Sequence, residues 1–314
     1  MRRLIAVLAA GAFALPVAVA GAAIPVDVVV DYNPAAGELT EGVAVDKRGD
    51  VFVSVTPLGQ IRKYEPDGSE IMRVQVVPPG SGIGLAGMAV DAPGNLYVAA
   101  ITFNLATQGV YKIARDGSLT RLPGTGAIAF ANGVTLDKRG NVYVTDTARG
   151  AVWRVPADGS AAVWFESPLI QGTGAFQFGF PLGANGIAYR ENEVVVGNTE
   201  GARLVRIAIE PDGSAGSVSV LAEGPALLGV DGIAFDVHGN VWAAVIAQST
   251  IVRVSPSGVV TTVATAADGL DWASSIAFGK NGDLWAVNYA IGPPGGPGPA
   301  LLRLAVEVKG QPVP

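Results

Sequence analysis

Apolar stretches of five or six residues alternate with polar turns along the chain, and one such pattern recurs six times. Each copy begins with a small or polar residue, runs as an apolar strand to a short turn, and returns as a second apolar strand. The six copies are EGVAVDKRGDVFVSV from Glu41, AGMAVDAPGNLYVAA from Ala86, ANGVTLDKRGNVYVTD from Ala131, ANGIAYRENEVVVGN from Ala184, DGIAFDVHGNVWAAV from Asp231 and SSIAFGKNGDLWAVN from Ser274. Strands of this length joined by short turns predict antiparallel hairpins.

A third strand follows each hairpin after a loop of variable length. Its copies are QIRKYEPDGS, GVYKIARDGS, AVWRVPADGS, RLVRIAIEPDGS, TIVRVSPSG and ALLRLAVE, and most of them close on a further Gly-containing turn. Each unit is therefore predicted to be a four-stranded antiparallel blade. The residues at the head of the six innermost strands lie 43 to 53 residues apart. A strand repeat of this period predicts an all-β fold, a six-bladed β-propeller.

The ring of blades needs a strand from the start of the chain to close it. The sixth copy has three clear strands, whereas the segment VDVVVDY at residues 26–32 precedes the first blade without a partner there. Pairing of this N-terminal strand with the sixth blade would remove an exposed sheet edge and tie the two ends of the chain together. The alternative is a closing strand from residues 308–314, which Pro312 and Pro314 interrupt.

Composition supports one globular domain and narrows its chemistry. Hydrophobic residues make up 49% of the chain and charged residues 15%, which is typical of a large core and not of disorder. Cysteine is absent, which excludes disulfides, thiol catalysis and thiolate metal sites. The formal net charge of -6 argues against a nucleic-acid partner, since phosphate binding needs a basic surface. We therefore expect no nucleic-acid partner, and the candidate site described below points to a small-molecule substrate.

The first 23 residues, MRRLIAVLAAGAFALPVAVAGAA, resemble a secretory signal peptide. Two arginines precede an apolar run, and small residues offer a cleavage site near Ala20. The alternative is an uncleaved anchor, because the stretch from Leu4 to Pro25 approaches spanning length. Pro16 and the lack of a basic stop favour cleavage. We expect a secreted or periplasmic protein with no stable membrane insertion, residues 24–314 forming a single propeller domain.

Polar side chains head four of the six innermost strands, at the end of the propeller that carries the long loops. Glu41, Asn132, Asn185 and Asp231 should therefore converge on the central axis despite their separation in sequence. Two carboxylates held close together repel each other unless a cation neutralises them. A set of oxygen ligands without Cys or His favours Ca²⁺, with Mg²⁺, Mn²⁺ or Zn²⁺ as the other divalent candidates.

The alternative interpretation of these four residues is structural. Asn and Asp next to Gly commonly start turns and cap backbone groups. Against this, the same repeat position is Ala86 in the second blade and Ser274 in the sixth, so the backbone does not require an amide or a carboxylate there.

Further residues are candidates for binding substrate on the same face. Asp146, Asn198 and Asn288 end second strands and could form a second tier. Phe178, in an aromatic cluster with Phe176 and Phe180, and Trp272 lie in loops that face the site, where lining of a pocket and packing of the loop are both open.

The opposite end of the propeller is expected to carry only turn residues. Asp46, Asp91, Asp137 and Asp236 are interpreted as capping the hairpin turns there. His238, the single histidine, lies in one of these turns. Mechanisms that need a histidine dyad, or a serine triad with a histidine base, are therefore excluded.

The repeat and its polar positions resemble the senescence-marker-protein, gluconolactonase and luciferin-regenerating-enzyme family over essentially the whole mature chain. The resemblance implies that Glu41 in TEGVAVD, Asn185 in ANGIAYR and Asp231 in VDGIAFD bind one divalent ion, and that Asn132 in ANGVTLD contacts substrate. It also implies lactone hydrolysis, in which the metal polarises the carbonyl and Asp231 takes a proton from the attacking water.

One position departs from the family pattern. Sugar-lactone members can carry an Arg two residues before the Asn of the third blade, and Phe130 occupies that position here. Together with the Phe-rich loop and Trp272, Phe130 makes the mouth of the pocket more apolar than a polyhydroxylated sugar lactone requires.

Three hypotheses for function follow. The first is a metal-dependent hydrolase of a lactone or related ester. The second is a propeller without catalytic activity that binds a ligand or a protein on its loop face. The third is an enzyme of specialised metabolism that acts on an apolar substrate, to which the aromatic loops point.

Overall fold

The computed structural model describes residues 24–292 and 295–314, and the predicted signal peptide at residues 1–23 lies outside these residues. The described chain folds into six four-stranded antiparallel sheets arranged as the blades of a propeller. The predicted all-β, six-bladed propeller is confirmed. The helices in the described residues are single 3₁₀ turns, and none of them is long and apolar enough to cross a membrane.

The strands of the first three blades run outward from the axis in chain order. Blade one comprises β2 Thr40–Val45, β3 Val51–Val55, β4 Gln60–Tyr64 and β5 Glu70–Gln75. Blade two comprises β6 Gly84–Val90, β7 Leu96–Ile101, β8 Gly109–Ile113 and β9 Leu119–Arg121. Blade three comprises β10 Ala131–Leu136, β11 Val142–Asp146, β12 Ala151–Val155 and β13 Ala162–Glu166.

The remaining blades follow the same order, and the first strand of the chain completes the sixth. Blade four comprises β14 Ala184–Arg190, β15 Glu193–Asn198, β16 Arg203–Ile209 and β17 Ala215–Glu223. Blade five comprises β18 Val230–Phe235, β19 Val241–Val245, β20 Thr250–Val254 and β21 Val260–Ala264. Blade six comprises β22 Ala273–Phe278, β23 Leu284–Asn288, β24 Ala300–Leu304 and β1 Val26–Asp31.

Single turns of 3₁₀ helix lie in the connections at one end of the propeller. They span Pro34–Ala36, Thr125–Ala127, Pro168–Ile170, Pro225–Leu227, Ile246–Gln248 and Ala266–Asp268. Five of these turns directly precede an innermost strand, and the sixth joins β19 to β20. This end also carries the longest connections, residues 167–183 and 289–299. We call it the loop face.

The N-terminal strand closes the ring. Strand β1 pairs antiparallel with β24, from Val26 opposite Leu304 to Asp31 opposite Ala300. A bulge between Val28 and Val30 adds twist to the pair. The predicted closure is confirmed, and residues 308–314 take no part in the sheet of blade six.

The C-terminal tail instead lies across the end opposite the loop face. Gly310 forms a bridge with Asp236, and Gln311 donates from its backbone N to the Phe235 carbonyl oxygen at 3.0 Å. Farther along, the backbone N of Ala92 donates to the carbonyl oxygen of Pro314 at 2.9 Å. The tail therefore bridges blades five and two and covers that end of the central channel.

The hydrophobic core is divided into six sectors, one between each pair of adjacent blades. The sector between blades four and five, for example, joins Val195 and Leu204 to Ile233 and Val252, all of them fully or almost fully buried. The sector between blades six and one joins Leu301 to Val53. Because every blade contributes to two sectors, removing part of one blade exposes the apolar faces of both neighbours.

A β-bulge interrupts each innermost strand at its head. In blade four, Ala184 pairs with Asn198 and Ile187 pairs with Val196, so Asn185 and Gly186 together oppose Gly197. The same interruption recurs in the other five innermost strands. A bulge turns a side chain out of the regular alternation of a strand. We call the six bulged head residues the first ring: Glu41, Ala86, Asn132, Asn185, Asp231 and Ser274.

Removing residues 24–31 tests the closing strand. The deletion leaves β24 as an open edge and uncovers parts of the sectors on both sides of blade six. We therefore expect the melting temperature to fall by on the order of 10 °C, since 1 kcal/mol corresponds to roughly 2–4 °C in a chain of this size. We also expect concentration-dependent aggregation in size-exclusion chromatography. An unchanged melting temperature and a monodisperse profile would show that β1 does not hold the ring closed.

Candidate functional site

The polar members of the first ring are buried within strands at the loop face. Glu41, Asn132, Asn185 and Asp231 are 9%, 8%, 8% and 6% exposed, and all four line one cavity of about 370 Å³. They lie in β2, β10, β14 and β18, so the alternative interpretation as solvated turn residues is wrong. The bulges bring together the four side chains that the sequence predicts to converge.

Threonine hydroxyls fix how the two amides are turned. Thr199 donates its hydroxyl hydrogen to the Val230 carbonyl oxygen at 2.9 Å, so it can only accept from the Asn185 side chain at 3.0 Å. Thr147 likewise donates to the Ala184 carbonyl oxygen at 2.7 Å and accepts from Asn132 at 3.2 Å. Each asparagine therefore presents its NH₂ group to a threonine, which leaves the amide oxygen to bind a cation or a substrate.

Burial makes the two carboxylates of the ring difficult to ionise. It raises the pKa of Asp231 to about 8, against a smaller lowering by the Asn185 amide. Burial and then the negative charge of Asp231 raise the pKa of Glu41 well above its usual range. The Glu41 Oε2 atom is buried without a hydrogen-bond partner. A buried carboxylate oxygen without a donor is costly, and a cation would remove that cost.

The oxygen atoms of the first ring fit a hard divalent cation, and one of its ligands would be an amide oxygen. Within the residues that the structure describes, no group of three or more His, Cys, Asp or Glu side chains could hold a metal ion. A cation at the first ring would therefore rest on the carboxylates of Glu41 and Asp231 together with the amide oxygen of Asn185. Such an all-oxygen set suits Ca²⁺ or Mg²⁺ better than softer metals.

A second ring of side chains faces the cavity from the ends of the second strands. In each blade the residue just before the head pairs with a residue of the second strand, and the member of the second ring is the next residue along that strand. The members that line the cavity are Ile101, Thr147, Thr199, Ile246 and Tyr289. Burial and then the charges of Glu41 and Asp231 raise the pKa of Tyr289, so its hydroxyl stays protonated and can donate a hydrogen bond.

Asp146, Asn198 and Asn288, the predicted second tier, do not line this cavity. Each lies one residue before a member of the second ring, and neighbouring side chains on a strand point in opposite directions. Asp146 accepts from the backbone N of Ala129 and Phe130, Asn198 donates to the carbonyl oxygens of Leu169 and Gln171, and Asn288 binds the backbone of Gly269 and Asp271. The structure thus gives these residues a role in holding the loops that precede the innermost strands.

Aromatic and aliphatic side chains form the wall of the cavity above the rings. Phe130, Phe176, Phe178 and Trp272 line it, so the loop aromatics do face the pocket. The other apolar residues of the wall are Ile83, Leu85, Leu182, Ala247 and Ile291, and the rings below add Ala86, Ile101 and Ile246. Polar groups are therefore confined to the floor of the cavity.

Glu200 fixes the loop that carries two of these aromatic residues. Its carboxylate accepts from the backbone N of Thr173 at 2.6 Å, of Gly174 at 2.5 Å and of Phe176 at 3.0 Å. Burial would raise the pKa of Glu200, but the hydrogen bonds from the backbone of Phe176, Gly174, Thr173 and Leu182 outweigh it and lower the pKa. Sequence patterns did not identify Glu200, because its partners are backbone groups.

The opposite end of the propeller carries turn residues, as predicted. Asp137 accepts from the backbone N of Arg139 and Asn141, and Asp46, Asp91 and Asp236 cap their hairpins in the same way. His238 is exposed in the turn that Asp236 caps. It lies at the far end of the propeller from the cavity.

Thermal melts with and without a cation test the buried carboxylate pair. Because the pKa values of Glu41 and Asp231 are higher in the folded than in the unfolded chain, the folded state binds more protons, and the free energy of unfolding falls as the pH rises towards about 8 in a chelator. We expect the melting temperature in EDTA to fall by on the order of 5 °C between pH 5.5 and 8.5. Saturating Ca²⁺ should remove most of that fall.

The double variant Glu41→Gln/Asp231→Asn is the control. It lacks the titrating pair, so its melting temperature should respond to neither the chelator nor the pH in this range. Identical pH profiles for the parent protein in EDTA and in Ca²⁺ would contradict a cation at the first ring.

Comparison with known proteins agrees with the architecture. Residues 180–286 match the family described as SMP-30/Gluconolactonase/LRE-like region. This match covers the inner strands of blades four, five and six, and so includes Asn185 and Asp231. Comparison with curated proteins finds no significant sequence match.

Solved structures with the same fold are similar over nearly the whole chain. A gluconolactonase from Xanthomonas campestris has a TM-score of 0.62 at 18% identity, covering 92% of this chain and 97% of its own. A luciferin-regenerating enzyme has a TM-score of 0.67 at 16% identity, covering 92% and 97%. Regucalcin from Agrobacterium tumefaciens, a calcium-binding protein, has a TM-score of 0.66 at 16% identity, covering 88% and 93%. The chain is a six-bladed β-propeller whose residues 180–286 match the SMP-30/gluconolactonase/LRE-like region, in agreement with the family resemblance seen in its repeats.

Proposed function

We propose that the protein is an exported, metal-dependent hydrolase that opens a lactone or a related ester at the first ring. The family match and the gluconolactonase among the similar structures support hydrolysis as the class of reaction. The leader-like residues 1–23 support export to the periplasm or the medium. The calcium-binding protein among the similar structures supports Ca²⁺ as the ion.

The observation that carries this proposal is the pair of buried carboxylates at the floor of an open cavity, one of which, Glu41, has an oxygen without a hydrogen-bond partner. Glu41 and Asp231 lie where no structural role requires them, since Ala86 and Ser274 occupy the same repeat position in other blades. Burying two such groups lowers the stability of the fold, and buried carboxylates with strongly shifted pKa values are found mainly in active sites. The hydroxyls of Thr147 and Thr199 also fix the orientation of the Asn132 and Asn185 amides.

Glu41, Asn185 and Asp231 would hold the divalent cation, with Asn132 facing the substrate. When bound, such a cation would supply the positive charge that keeps both carboxylates ionised and polarises a carbonyl oxygen.

The side chains of the floor have separate tasks in the reaction. The Asp231 carboxylate faces the cavity and accepts a proton from the attacking water as the water oxygen bonds to the carbonyl carbon. The ring C–O bond then breaks, and the leaving oxygen takes the proton back from Asp231, so that a hydroxy acid is the product. The amide of Asn132, held by Thr147, orients the lactone. The Tyr289 hydroxyl is a neutral donor on the same side of the cavity.

The variant Asp231→Asn tests the assignment of the base. We expect kcat on a panel of γ- and δ-lactones, measured in a pH-stat with Ca²⁺ present, to fall by on the order of 100-fold or more, because an amide cannot accept the proton. The melting temperature in EDTA should not fall, since the substitution removes a buried charge.

Asp158→Asn is the matched control. It makes the same chemical change at an exposed residue of a blade-three turn, and it should leave kcat unchanged. Full activity of the Asp231→Asn variant would contradict the role of Asp231 as the base. Turnover of no lactone by the parent protein would favour a propeller that binds its ligand without converting it.

A further inference from the structure

The cavity has a polar floor and an apolar wall, and this division limits what it can bind. The polar lining residues belong to the first and second rings: Glu41, Asn132, Thr147, Asn185, Thr199, Asp231 and Tyr289. Among the described residues that line the cavity, none is basic, and the wall above the rings is aliphatic or aromatic. Apart from the indole N–H of Trp272, side chains therefore offer a ligand polar contacts at one end only.

A sugar lactone does not match this distribution. Its hydroxyl groups surround the ring, and those that face the wall would lose their hydrogen bonds to water without gaining a partner in the protein. A lactone or ester group that carries one hydrophobic substituent does match, because the reacting carbonyl meets the floor while the substituent lies along the wall. Burial of each methylene strengthens binding by about fourfold.

The apolar wall continues outward as a row of packed aromatic rings. Phe130, which is buried beside Asn132, packs against Phe180 with ring centroids 5.0 Å apart, and Phe180 packs against Phe178 at 6.0 Å. Phe103 packs against the other side of Phe130 at 6.3 Å. Phe103 and Phe178 are 60% and 56% exposed at the loop face. The row therefore leads from the floor to solvent and offers a surface for a substituent longer than the cavity is deep.

This aromatic row is held in place before any ligand arrives. Glu200 binds the loop of Phe176 through three backbone N–H groups, and Asp146 binds the backbone N of Phe130 at 3.1 Å. Trp272, on the opposite side of the cavity, is fixed by donation from its backbone N to the Ser249 hydroxyl at 2.9 Å. An apolar surface that is already ordered loses little conformational freedom on binding.

We propose that the substrate is a lactone or ester with a hydrophobic alkyl-chain or aryl substituent, which lies along Phe130, Phe176, Phe178 and Trp272, and that polyhydroxylated sugar lactones are poor substrates. The choice of a lactone or ester rests on the proposed function. The choice of a hydrophobic substituent rests on the wall alone.

A comparison of three lactones tests the choice of substituent separately from the choice of reaction. We expect kcat/KM for γ-decalactone to exceed that for γ-butyrolactone by at least about 50-fold, since the two differ by six carbons and burial of three methylenes already gives that factor. D-Glucono-δ-lactone should be hydrolysed no faster than γ-butyrolactone. A kcat/KM for D-glucono-δ-lactone equal to or above that for γ-decalactone would overturn the inference while leaving the hydrolase intact.

The variant Phe178→Ala locates the substituent. It shortens the exposed end of the aromatic row, and we expect it to lower the preference for γ-decalactone over γ-butyrolactone by about fivefold, which corresponds to the loss of roughly one buried methylene. Phe165→Ala, at a half-buried position in β13 outside the cavity, is the matched control and should leave the preference as it is. An equal preference in the Phe178→Ala variant and the parent would contradict this placement of the chain.

Binding of an unreactive analogue keeps the inference separate from hydrolysis. The lactam 5-hexylpyrrolidin-2-one has the shape of γ-decalactone, and isothermal titration calorimetry should show that it binds the parent protein more tightly than the Phe178→Ala variant. That result would support the hydrophobic site even if no lactone were hydrolysed. Absence of binding to the parent would overturn it.

Discussion

The close approach of the innermost strands to one another is the constraint on which the rest of the structure depends. A glycine follows the head residue in blades one to five and makes this approach achievable: a Cβ atom on Gly42 would lie 2.6 Å from the Ala86 carbonyl oxygen, and one on Gly232 would lie 2.7 Å from the Cα atom of Ser275. These glycines do not have positive φ values, so what they provide is space and not a turn. With a side chain at one of these five glycines the neighbouring strands would have to separate, and the head residues would be drawn away from the axis.

The same contact also explains why two carboxylates can be held so far from water. The bulges leave backbone groups unpaired, and hydroxyl groups from the facing strand take them up: Ser54 accepts from the backbone N of Gly42, and Thr145 accepts from that of Gly133 while it donates to the carbonyl oxygen of Asn185. Because Ser54 also donates to the carbonyl oxygen of Ala86, these hydroxyls tie blade one to blade two and blade three to blade four. The six hydrophobic sectors behind the ring supply the stability that offsets the buried charges of Glu41 and Asp231.

What could be predicted from the sequence follows from what repeats in it. The six copies of one pattern were sufficient to predict the blades, the closing strand and the convergence of Glu41, Asn132, Asn185 and Asp231. The residues that line the cavity from the ends of the second strands, Thr147, Thr199 and Tyr289, could not be distinguished in this way from their neighbours Asp146, Asn198 and Asn288. A shift of one residue on a strand reverses the direction of the side chain, so the choice of the polar neighbour gave the wrong face. The signal was available, since a threonine follows the end of the second strand in both blades three and four. Glu200 and the C-terminal tail bind through backbone groups that leave no pattern in the sequence.

The two layers of the site depend on different parts of the fold, and they can therefore vary independently. The floor is built from strands that are fixed by their neighbours on both sides, so the backbone of the head residues keeps its place on the axis whichever side chain it carries. The wall is built from connections such as residues 167–183, whose length and composition differ from blade to blade and whose only fixed points are groups such as Glu200. A propeller of this kind can keep the arrangement of polar groups at its floor while the residues of its wall differ, loop by loop. In this chain the aromatic residues of the wall lie in the connections, apart from the strands that carry Glu41, Asn185 and Asp231, so the proposed chemistry and the proposed choice of substituent rest on separate elements.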